Sequence, residues 1–423
     1  METYQVAGVE INKISIVELL FNKTMLIAYL FLAVAFFGLY DVIGERYFLL
    51  TANAHDAGLN PGSREVAAAM KEAVFGSGGE VFRAQPWTLY IVNYMYMIYS
   101  GSAIIFLVAI GELLNIEVIK KTAAGFMTLG LAMVFAGLFT IAADLNILHM
   151  QWMFLTPNLS AGMWLMLPLY AVYIPFVIFE IYLLITKNET WTKRIAVAIL
   201  MLSIVIDIIE YYIQAKLFDM NAARHLWTTY PFLPLYFIIS AFAAGIAIMI
   251  VYAFIVYKDK LKEEYKVLTE TLRVNALYIF AALAIYEVIA YLFIDKDWGS
   301  IILFGEFKWY FYAYIILAVA LPFLLMFKNG RMKTRYILGA VLAIIGTYLG
   351  RYIFVYGGNA FPLSDRFGTG FEKYGEYEPI KDFIFNFPHT SEIMVVFGSV
   401  GVIIAVYKII DSLFSVSDIR SHH

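Results

Sequence analysis

Ten long apolar stretches, separated by shorter polar segments, run through this chain. A helix that crosses the hydrocarbon core of a bilayer needs about 20 mostly apolar residues, which is roughly the length of each stretch. The pattern therefore predicts an all-α integral membrane protein with about ten transmembrane helices. We number these spans 1 to 10, at residues 25–43, 88–111, 122–143, 162–186, 195–215, 231–257, 274–294, 309–327, 336–356 and 393–414.

A weak internal sequence repeat divides the spans into two sets. Trp87 precedes Ser100 by the same interval that separates Trp227 from Ser240, and small residues follow in both cases. Small residues permit close helix packing, although coincidence remains an alternative explanation of the spacing. We predict one membrane domain, 1–423, with two four-helix bundles and one extra helix at each end. The parts are the extra N-terminal helix 25–43, the first bundle 88–215 (spans 2–5), the second bundle 231–356 (spans 6–9), and the outer loop with the C-terminal helix 357–423.

The composition excludes a soluble globular protein. The chain of 423 residues is 62% hydrophobic and only 15% charged, far more apolar than soluble domains of this size. Span 1 follows an acidic and polar leader and lacks a small-residue cleavage site, so we interpret it as a permanent helix. The net charge of −3 suggests no nucleic-acid partner, and the expected environment is the lipid bilayer.

The basic residues predict the orientation. Short loops rich in Lys and Arg stay on the cytoplasmic side of a membrane, and residues 328–335 alone carry four such side chains. We therefore expect both termini inside, in the cytoplasmic membrane. The two longest connections, 44–86 and 357–390, are then outside. They either cap the bundle or form a docking platform for an extracytoplasmic partner.

The types of residue that are missing limit the chemistry. The chain has no cysteine, and none of its six histidines lies in a span. Iron–sulfur clusters need thiolates and membrane haems need axial ligands, usually histidines, so we expect no haem and no iron–sulfur cluster in this chain. Chemistry here must use a diffusible small molecule, a proton or an ion, or must be passed to a partner subunit.

Five charged side chains are predicted to lie deep within spans, where a charge is costly and is by default a functional candidate; Asp41, Lys408 and Asp411 are set aside because they are close enough to span ends to reach water. The five are Glu180, Asp207, Glu210, Glu287 and Arg351. Counted from the inner basic flanks, all except Glu180 fall in the outer half of the membrane. Glu180, Glu287 and Arg351 are candidates for a proton path. The alternative for Glu287 and Arg351 is an ion pair with each other.

Span 5 carries the sharpest pattern. Asp207, Glu210, Tyr211 and Gln214 follow the spacing i, i+3, i+4 and i+7, which places them on one helix face. Two carboxylates one turn apart repel each other unless they have a partner or a role. We therefore predict that Asp207 and Glu210 are catalytic carboxylates in a polar stripe that runs to the outer surface.

Span 2 places Tyr90 and Asn93 at a similar outer level, on one face. Hydroxyl, amide and carboxylate groups surrounded by aromatic rings suit a quinone. Its oxygens need hydrogen-bond partners, its ring needs flat apolar walls, and its redox change needs a proton acceptor. We predict that Tyr90, Asn93, Tyr211 and Gln214 contact a quinone. The alternative for each is an ordinary hydrogen bond between helices.

The loop after span 3 is short and carries no Lys or Arg. It holds Asp144 and His149, which either cap helices or shuttle protons between the outer site and water. We retain both as candidate catalytic residues.

Several local sequences resemble those of the NrfD-type membrane subunits, as in polysulfide reductase. The resemblance covers most of the chain and is carried by the Asp144-Leu145 step, by Pro157-Asn158-Leu159-Ser160, and by Trp227 followed by Pro231, Pro234 and the run 237–245. The family core of eight spans corresponds to spans 2–9. The extra helix at each end and Arg351-Tyr352 resemble a ten-span branch, the DsrP/HmeB type, found in menaquinol-oxidising complexes associated with sulfite reduction.

The resemblance implies quinol exchange near the outer face, with Trp227 as a further candidate quinone contact. It also implies a docked extracytoplasmic iron–sulfur (ferredoxin-like) subunit within a larger membrane redox complex. The sequence departs from the polysulfide-reductase pattern, because Tyr90 and Asn93 occupy the span that carries Asn and His in that family. Glu210-Tyr211-Tyr212 likewise replaces a Tyr-Thr-Gly sequence.

We therefore expect a subunit that binds menaquinone or menaquinol and exchanges electrons with that iron–sulfur partner in sulfur-compound metabolism. Two alternatives remain. In a transporter or ion-translocating subunit, Glu180, Asp207 and Glu287 would be stations on a proton or cation path. In a passive membrane anchor for redox partners, all of the polar groups would be structural.

Overall fold

The computed structural model describes most of the chain. The described residues are 3–56, 87–144, 155, 157–159, 162–186, 189–219, 226–227, 232–293, 302–305, 307–327, 333–360 and 387–419. His149 and most of the two long connections predicted at 44–86 and 357–390 lie outside them.

Within the described residues, ten helices are long and apolar enough to cross a membrane. The prediction of an all-α integral membrane protein is confirmed. The short helix α1 (Ile16–Leu20) precedes them. The ten, in the order of the predicted spans, are α2 (Lys23–Asp56), α3 (Leu89–Leu113), α4 (Glu117–Asp144), α5 (Gly162–Ile185), α6 (Glu189–Asp219), α7 (Leu233–Leu261), α8 (Glu264–Phe293), α9 (Lys308–Phe327), α10 (Lys333–Ala360) and α11 (Thr390–Phe414).

Several helices extend beyond the apolar stretches. The first was predicted to end at residue 43 but continues to Asp56, and α6 extends by several residues beyond both ends of 195–215. Apolar length reports the part of a helix that crosses lipid, whereas the backbone can stay helical in water. α7 and α9 each contain a π-helical turn, at Ala253–Tyr257 and Ile316–Ala320.

The predicted polar leader contains a small β-hairpin. Strand β1 (Thr3–Val6) pairs antiparallel with β2 (Val9–Asn12). Ala7 and Gly8 form the two-residue turn, both with positive φ, the conformation that tight hairpins require. The side chain of Asn12 donates to the carbonyl of Ser412 at 2.9 Å, which joins the hairpin to the end of α11.

The helices contact one another in two groups of four, and within each group every helix packs on the next in a cycle. In the first, α3 packs on α4, α4 on α5, α5 on α6, and α6 on α3. In the second, α7, α8, α9 and α10 contact one another in the same cyclic order. α3 also packs on α7 and α10, which joins the two sets, while α2 packs on α11 and α11 on α4. The arrangement as two four-helix bundles, spans 2–5 and 6–9, remains a prediction.

Small residues make the closest helix contacts. A Cβ on Gly101 would lie 2.6 Å from the carbonyl oxygen of Gly130, so α3 and α4 approach backbone to backbone. A Cβ on Gly245 would lie 3.0 Å from Cβ of Ala103. The small residues that follow Ser100 and Ser240 therefore lie at close helix contacts, as expected from their type.

The two ends of the helical body differ in chemistry. At one end the rings of Trp87 and Trp227 lie 4.6 Å apart, and we call this the tryptophan end. At the other, Lys121 pairs with Glu264 at 2.7 Å and Lys260 contacts the segment after α11, and we call this the lysine end.

Candidate functional site

A buried polar seam lies between α5 and α6. The polar side chains recur at intervals of four, three and four residues on α6 and of three and seven residues on α5, which keeps each set on one helix face. Because the two helices are antiparallel neighbours, the two faces meet along their length. The seam consists of Tyr170, Tyr173 and Glu180 on α5 and of Ser203, Asp207, Glu210 and Gln214 on α6.

Ser102 of α3 joins the two carboxyl groups at the centre of the seam. Its Oγ lies 2.7 Å from Oδ1 of Asp207 and 2.9 Å from Oε2 of Glu210. All three side chains are buried. Sequence analysis predicted the carboxylate pair and the shared helix face, but the serine that bridges the pair was missed.

The other oxygen of Glu210 is surrounded by donors. The Tyr170 hydroxyl donates to Oε1 of Glu210 at 2.8 Å. The Gln214 amide donates to the same oxygen at 3.2 Å and also to the Tyr170 hydroxyl. The hydroxyl of Tyr94 lies 3.4 Å from that of Tyr170. Glu210 is therefore held in a small hydrogen-bonded network with the predicted residue Gln214.

Asp207 is held less tightly. The Tyr173 hydroxyl lies close enough to interact with Asp207, but it makes no hydrogen bond of ordinary geometry among the described residues. Among the described residues, Oδ2 of Asp207 has no hydrogen-bond partner. An orphaned buried carboxylate oxygen needs an explanation, and an ordered water is the simplest.

Tyr211 shares the helix face only in part. Its hydroxyl donates to the backbone carbonyl of Tyr99 at 3.0 Å, and its ring lies 5.3 Å from the Tyr99 ring. Tyr211 therefore uses its hydroxyl to fasten α6 to α3.

The predicted convergence of span 2 with the stripe is wrong. Asn93 donates to the hydroxyl of Ser399 on α11 at 3.0 Å, and Tyr90 packs in a cluster with Ala143 and Val395. Asn93 and Ser102 are nine residues apart, or two and a half helical turns, so they point to opposite sides of α3. Tyr90 and Asn93 face α4 and α11, whereas Ser102 faces the carboxyl pair.

The depth of the pair also differs from the prediction. Ser102 follows the start of α3 by 13 residues, or about 20 Å, in a helix of 25 residues. Asp207 is about 15 Å from one end of the span Val197–Asp219 and about 18 Å from the other. The pair therefore lies near the middle of its helices, and only Gln214 approaches the tryptophan end. The predicted depth was counted from basic residues that lie in α6 but before the start of its apolar span. The count therefore placed Asp207 too far from the inner face.

Glu180 lies on the same seam, nearer the lysine end. Its Oε2 accepts a hydrogen bond from Ser203 at 3.2 Å, and among the described residues its Oε1 has no partner. Glu112, at the lysine end of α3, is close enough to interact electrostatically with Glu180. Glu180 interacts in the same way with Asp207.

Glu287 and Arg351 do not form the ion pair that was considered. Glu287 accepts a hydrogen bond from Tyr314 at 2.6 Å. Arg351 instead donates to Ser240 Oγ at 2.7 Å and to the carbonyl of Phe237 at 3.2 Å. None of the ion pairs among the described residues includes either side chain. The two groups are on different helices, and depth alone could not fix which way each one points.

Aromatic faces surround the buried guanidinium of Arg351. Its central carbon lies 4.7 Å from the ring centroid of Phe237, 4.9 Å from that of Tyr99 and 5.2 Å from that of Tyr236. Cation–π contacts of this kind are strongest where water is excluded. Arg351 therefore joins α10 to α3 and α7.

At the tryptophan end, Trp227 is fully buried and donates from Nε1 to the carbonyl of Phe354 at 2.9 Å. Its ring packs with Trp87 and with Phe218, which follows Gln214 by one turn of α6. Asp144, at the end of α4, lies 3.5 Å from the hydroxyl of Thr88. Trp227 and Asp144 are therefore near the end of the seam but are not part of its hydrogen-bonded network.

Several polar residues near these sites were not predicted from the sequence. The signal for Tyr170 and Tyr173 was present, because they precede Glu180 by ten and seven residues, which are intervals of one helix face. Ser102 gave no signal, since a serine in a span is ordinary. Glu392 directly precedes the predicted span 393–414, yet it is buried at the start of α11 and accepts from the backbone N–H of Leu89 at 3.2 Å.

A comparison with protein families assigns the chain. The family model described as polysulphide reductase, NrfD, matches residues 79–363, which include helices α3 to α10. The chain belongs to the NrfD family. NrfD proteins are membrane subunits of quinone-linked oxidoreductases and work with partner subunits. The match excludes α2 and α11, and no curated relative matches the chain.

All of the seam therefore lies in the part of the chain that defines an NrfD protein. Ser102, Tyr170, Glu180, Asp207 and Glu210 fall between residues 79 and 363. Asn93 also lies in the NrfD region, but its partner Ser399 does not.

Proposed function

We propose that this NrfD protein is the quinol-reactive subunit of a membrane oxidoreductase complex. It would oxidise menaquinol and pass the electrons to an extracytoplasmic iron–sulfur subunit, in sulfur-compound metabolism, and would belong to the ten-span branch of the family. The observation that carries the proposal is the buried network of Ser102, Asp207, Glu210, Tyr170 and Gln214 inside the family region.

The network has the groups that quinol oxidation needs from a protein. Oxidation breaks two O–H bonds, releases two protons and sends two electrons to the iron–sulfur partner, one at a time. A carboxylate held beside a second carboxyl group is suited to accept a proton. Tyr170 and Gln214 lie at the end of the network nearer the tryptophan end and can hydrogen-bond a substrate oxygen.

Aromatic rings support a site for the substrate ring just beyond Gln214. Phe218 follows Gln214 on α6, and its ring lies 4.5 Å from Trp87 and 5.2 Å from Trp227. Flat apolar walls beside a few placed polar groups are typical of sites for ring-shaped ligands. We infer that the quinol head group binds between these rings and the Tyr170–Gln214 pair.

The orientation follows from the basic loops. With the lysine end in the cytoplasm, the tryptophan end faces outward, where an extracytoplasmic iron–sulfur subunit would dock. Asp144, at the end of α4, would then lie on the outer side, and His149 stays a candidate proton carrier from the sequence alone.

The proposal is tested by purifying the intact complex through a tag on this chain. We expect an iron–sulfur protein to co-purify, a menaquinol analogue to reduce it, and bound menaquinone to be extractable. The chain alone should show no haem absorption and no iron above background. Glu117→Gln, at an exposed carboxylate paired with Lys120, serves as the control for variants in the network.

Two results would overturn the proposal. A complex without an iron–sulfur subunit, in which the chain instead moved an ion down its gradient, would favour the transporter alternative. An iron–sulfur partner that co-purifies but is never reduced by quinol, with no quinone bound, would leave this chain a passive anchor.

A further inference from the structure

The hydrogen count at Ser102 determines the protonation of the carboxyl pair. A serine hydroxyl carries one hydrogen and can donate it to one acceptor only. Its oxygen nevertheless lies within 2.9 Å of carboxyl oxygens on both Asp207 and Glu210. If both were carboxylates, one contact would bring two lone pairs together. At least one of the two groups therefore carries a proton and donates it to Ser102.

The hydrogen bonds indicate which group this is. Glu210 receives donors from Tyr170 and Gln214, and such donors favour the charged form of a carboxylate. At Asp207, Oδ2 has no hydrogen-bond partner within the described part of the chain, and the nearby Tyr173 hydroxyl makes no bond of ordinary geometry. Asp207 is then the acid that donates to Ser102, and Ser102 donates to Glu210. A shift of each proton along this line moves one proton from Asp207 to Glu210.

The seam continues from Asp207 toward the lysine end. Ser203 precedes Asp207 by one helical turn, about 6 Å, and donates to Glu180. Oδ2 of Asp207 and Oε1 of Glu180 are both buried without a partner. A water that bridged the two oxygens would satisfy both. Glu112 lies beyond Glu180 at the end of α3 and is only partly buried.

We propose that this seam is a proton path that connects the carboxyl pair with the lysine end of the membrane. The stations are Glu112, Glu180, a bridging water, Asp207, Ser102 and Glu210. At each step one O–H bond forms as another breaks, so no other reactant is needed. The inference rests on the proposed function only for the source of the protons. Protons from a substrate near the tryptophan end would leave on the opposite side, and turnover would move charge across the membrane.

The path can be tested without a quinone. Infrared spectra of the complex in lipid nanodiscs should contain the C=O band of a protonated carboxylic acid at neutral pH, and Asp207→Asn should remove part of it. On transfer to deuterium oxide, this part of the band should shift quickly in the wild type. Glu180→Gln should slow that shift at least tenfold, because it interrupts the route to the lysine end. Tyr170→Phe, on the other side of the pair, should not.

Matched variants separate the path from packing. Glu180→Asp keeps the carboxyl group and should restore fast exchange. Ser102→Ala should abolish proton sharing, so that Glu210→Gln and Asp207→Asn no longer alter each other's bands, while Ser102→Thr keeps the hydroxyl and the coupling. Ser100→Ala, a buried serine two residues away whose hydroxyl has no partner among the described residues, should match the wild type.

The outcomes against the proposal are specific. Absence of a protonated band that depends on Asp207 or Glu210 would overturn the shared proton. Exchange slowed by Tyr170→Phe but not by Glu180→Gln would place the route at the tryptophan end. If the exchange pattern holds but menaquinol reduces no partner, the path stands and the proposed quinol chemistry fails.

Discussion

The side-chain amide of Asn93 donates a hydrogen bond to the hydroxyl of Ser399 at 3.0 Å. The bond joins the first helix of the NrfD region to α11, which lies outside that region. Asn93 is fully buried, as is Ser399. A residue that the sequence suggested for quinone binding thus fastens an added helix to the family core.

Asn93→Ala should therefore reduce stability and leave turnover unchanged. One lost hydrogen bond between neutral groups costs about 0.5–1.5 kcal/mol, to be measured as a lower midpoint of thermal unfolding in detergent. A double-mutant cycle with Ser399→Ala should show that the two changes are not additive. Asn275→Ala, at an exposed residue that bonds only within its own helix, is the control. Loss of quinol affinity at unchanged stability would return Asn93 to the quinone site.

The carboxyl pair should control quinol oxidation. Glu210→Gln keeps an oxygen that can accept from Tyr170 and Gln214 but removes the carboxylate that takes up a proton, and loss of a general base commonly lowers a rate by about 10²–10⁴-fold. We expect a fall of this size in menaquinol-dependent reduction of the partner, with the complex still assembled. Asp207→Asn and the double variant should be assayed beside it. Wild-type turnover in all three variants would make the network purely structural.

Gly358 should be intolerant of any side chain. A Cβ there would lie 2.2 Å from Nε1 of Trp227, so Gly358→Ala must displace the indole from the aromatic cluster and from its bond to Phe354. Overpacking of this kind costs about 1–3 kcal/mol. Gly357→Ala is a matched control, because its Cβ would meet the nearest atom at 3.4 Å. Equal unfolding midpoints for the two variants would contradict the packing of Trp227.

Arg351 should require its planar guanidinium and not only its charge. Arg351→Lys keeps the cation but cannot cover the rings of Tyr99, Tyr236 and Phe237 or make the same two hydrogen bonds. A buried cation–π interaction contributes about 2 kcal/mol, so we expect a loss of that order in thermal stability. Ser240→Ala, which removes one of the bonds, should cost less. A lysine variant as stable as the wild type would show that the stacking contributes little.

The orientation can be read from single cysteines, because the chain has none of its own. Ser63→Cys, in the long connection predicted outside, should react with a membrane-impermeant maleimide in intact cells. Lys262→Cys, exposed at the lysine end, should react only after permeabilisation. The opposite pattern would invert the chain and move the proposed substrate site to the cytoplasmic side.

The sequence predicted the carboxyl pair for a simple physical reason. A charge in a span is costly unless it has a role or a partner, and the intervals from Asp207 to Gln214 are those of one helix face. The same reasoning could not give the partners. Ser102 is neutral and common in spans, so it carries no such penalty. The side of α3 that faces α6 depends on how that helix is rotated in the bundle.

The rotation of helices explains the other differences as well. Tyr90 and Asn93 were correctly placed on one face of span 2, but that face is turned toward α4 and α11. Glu287 and Arg351 were correctly placed in spans, but each is turned toward a different neighbour, Tyr314 for one and Ser240 for the other. Depth and spacing along one helix do not determine which other helix a side chain meets.

The sequence by itself determined the ten helices, the shared face of Asp207 and Glu210, and the absence of thiolates that could bind a cluster. These depend on apolar length, on the period of the helix and on residue type, which are local properties. Only the tertiary structure decided that Ser102 bridges the pair, that Glu180 lies on the same seam, and that Arg351 is held by aromatic rings. Those contacts join residues as far as 252 positions apart in the chain, as in Arg351 and Tyr99, and depend on the rotation and crossing of packed helices.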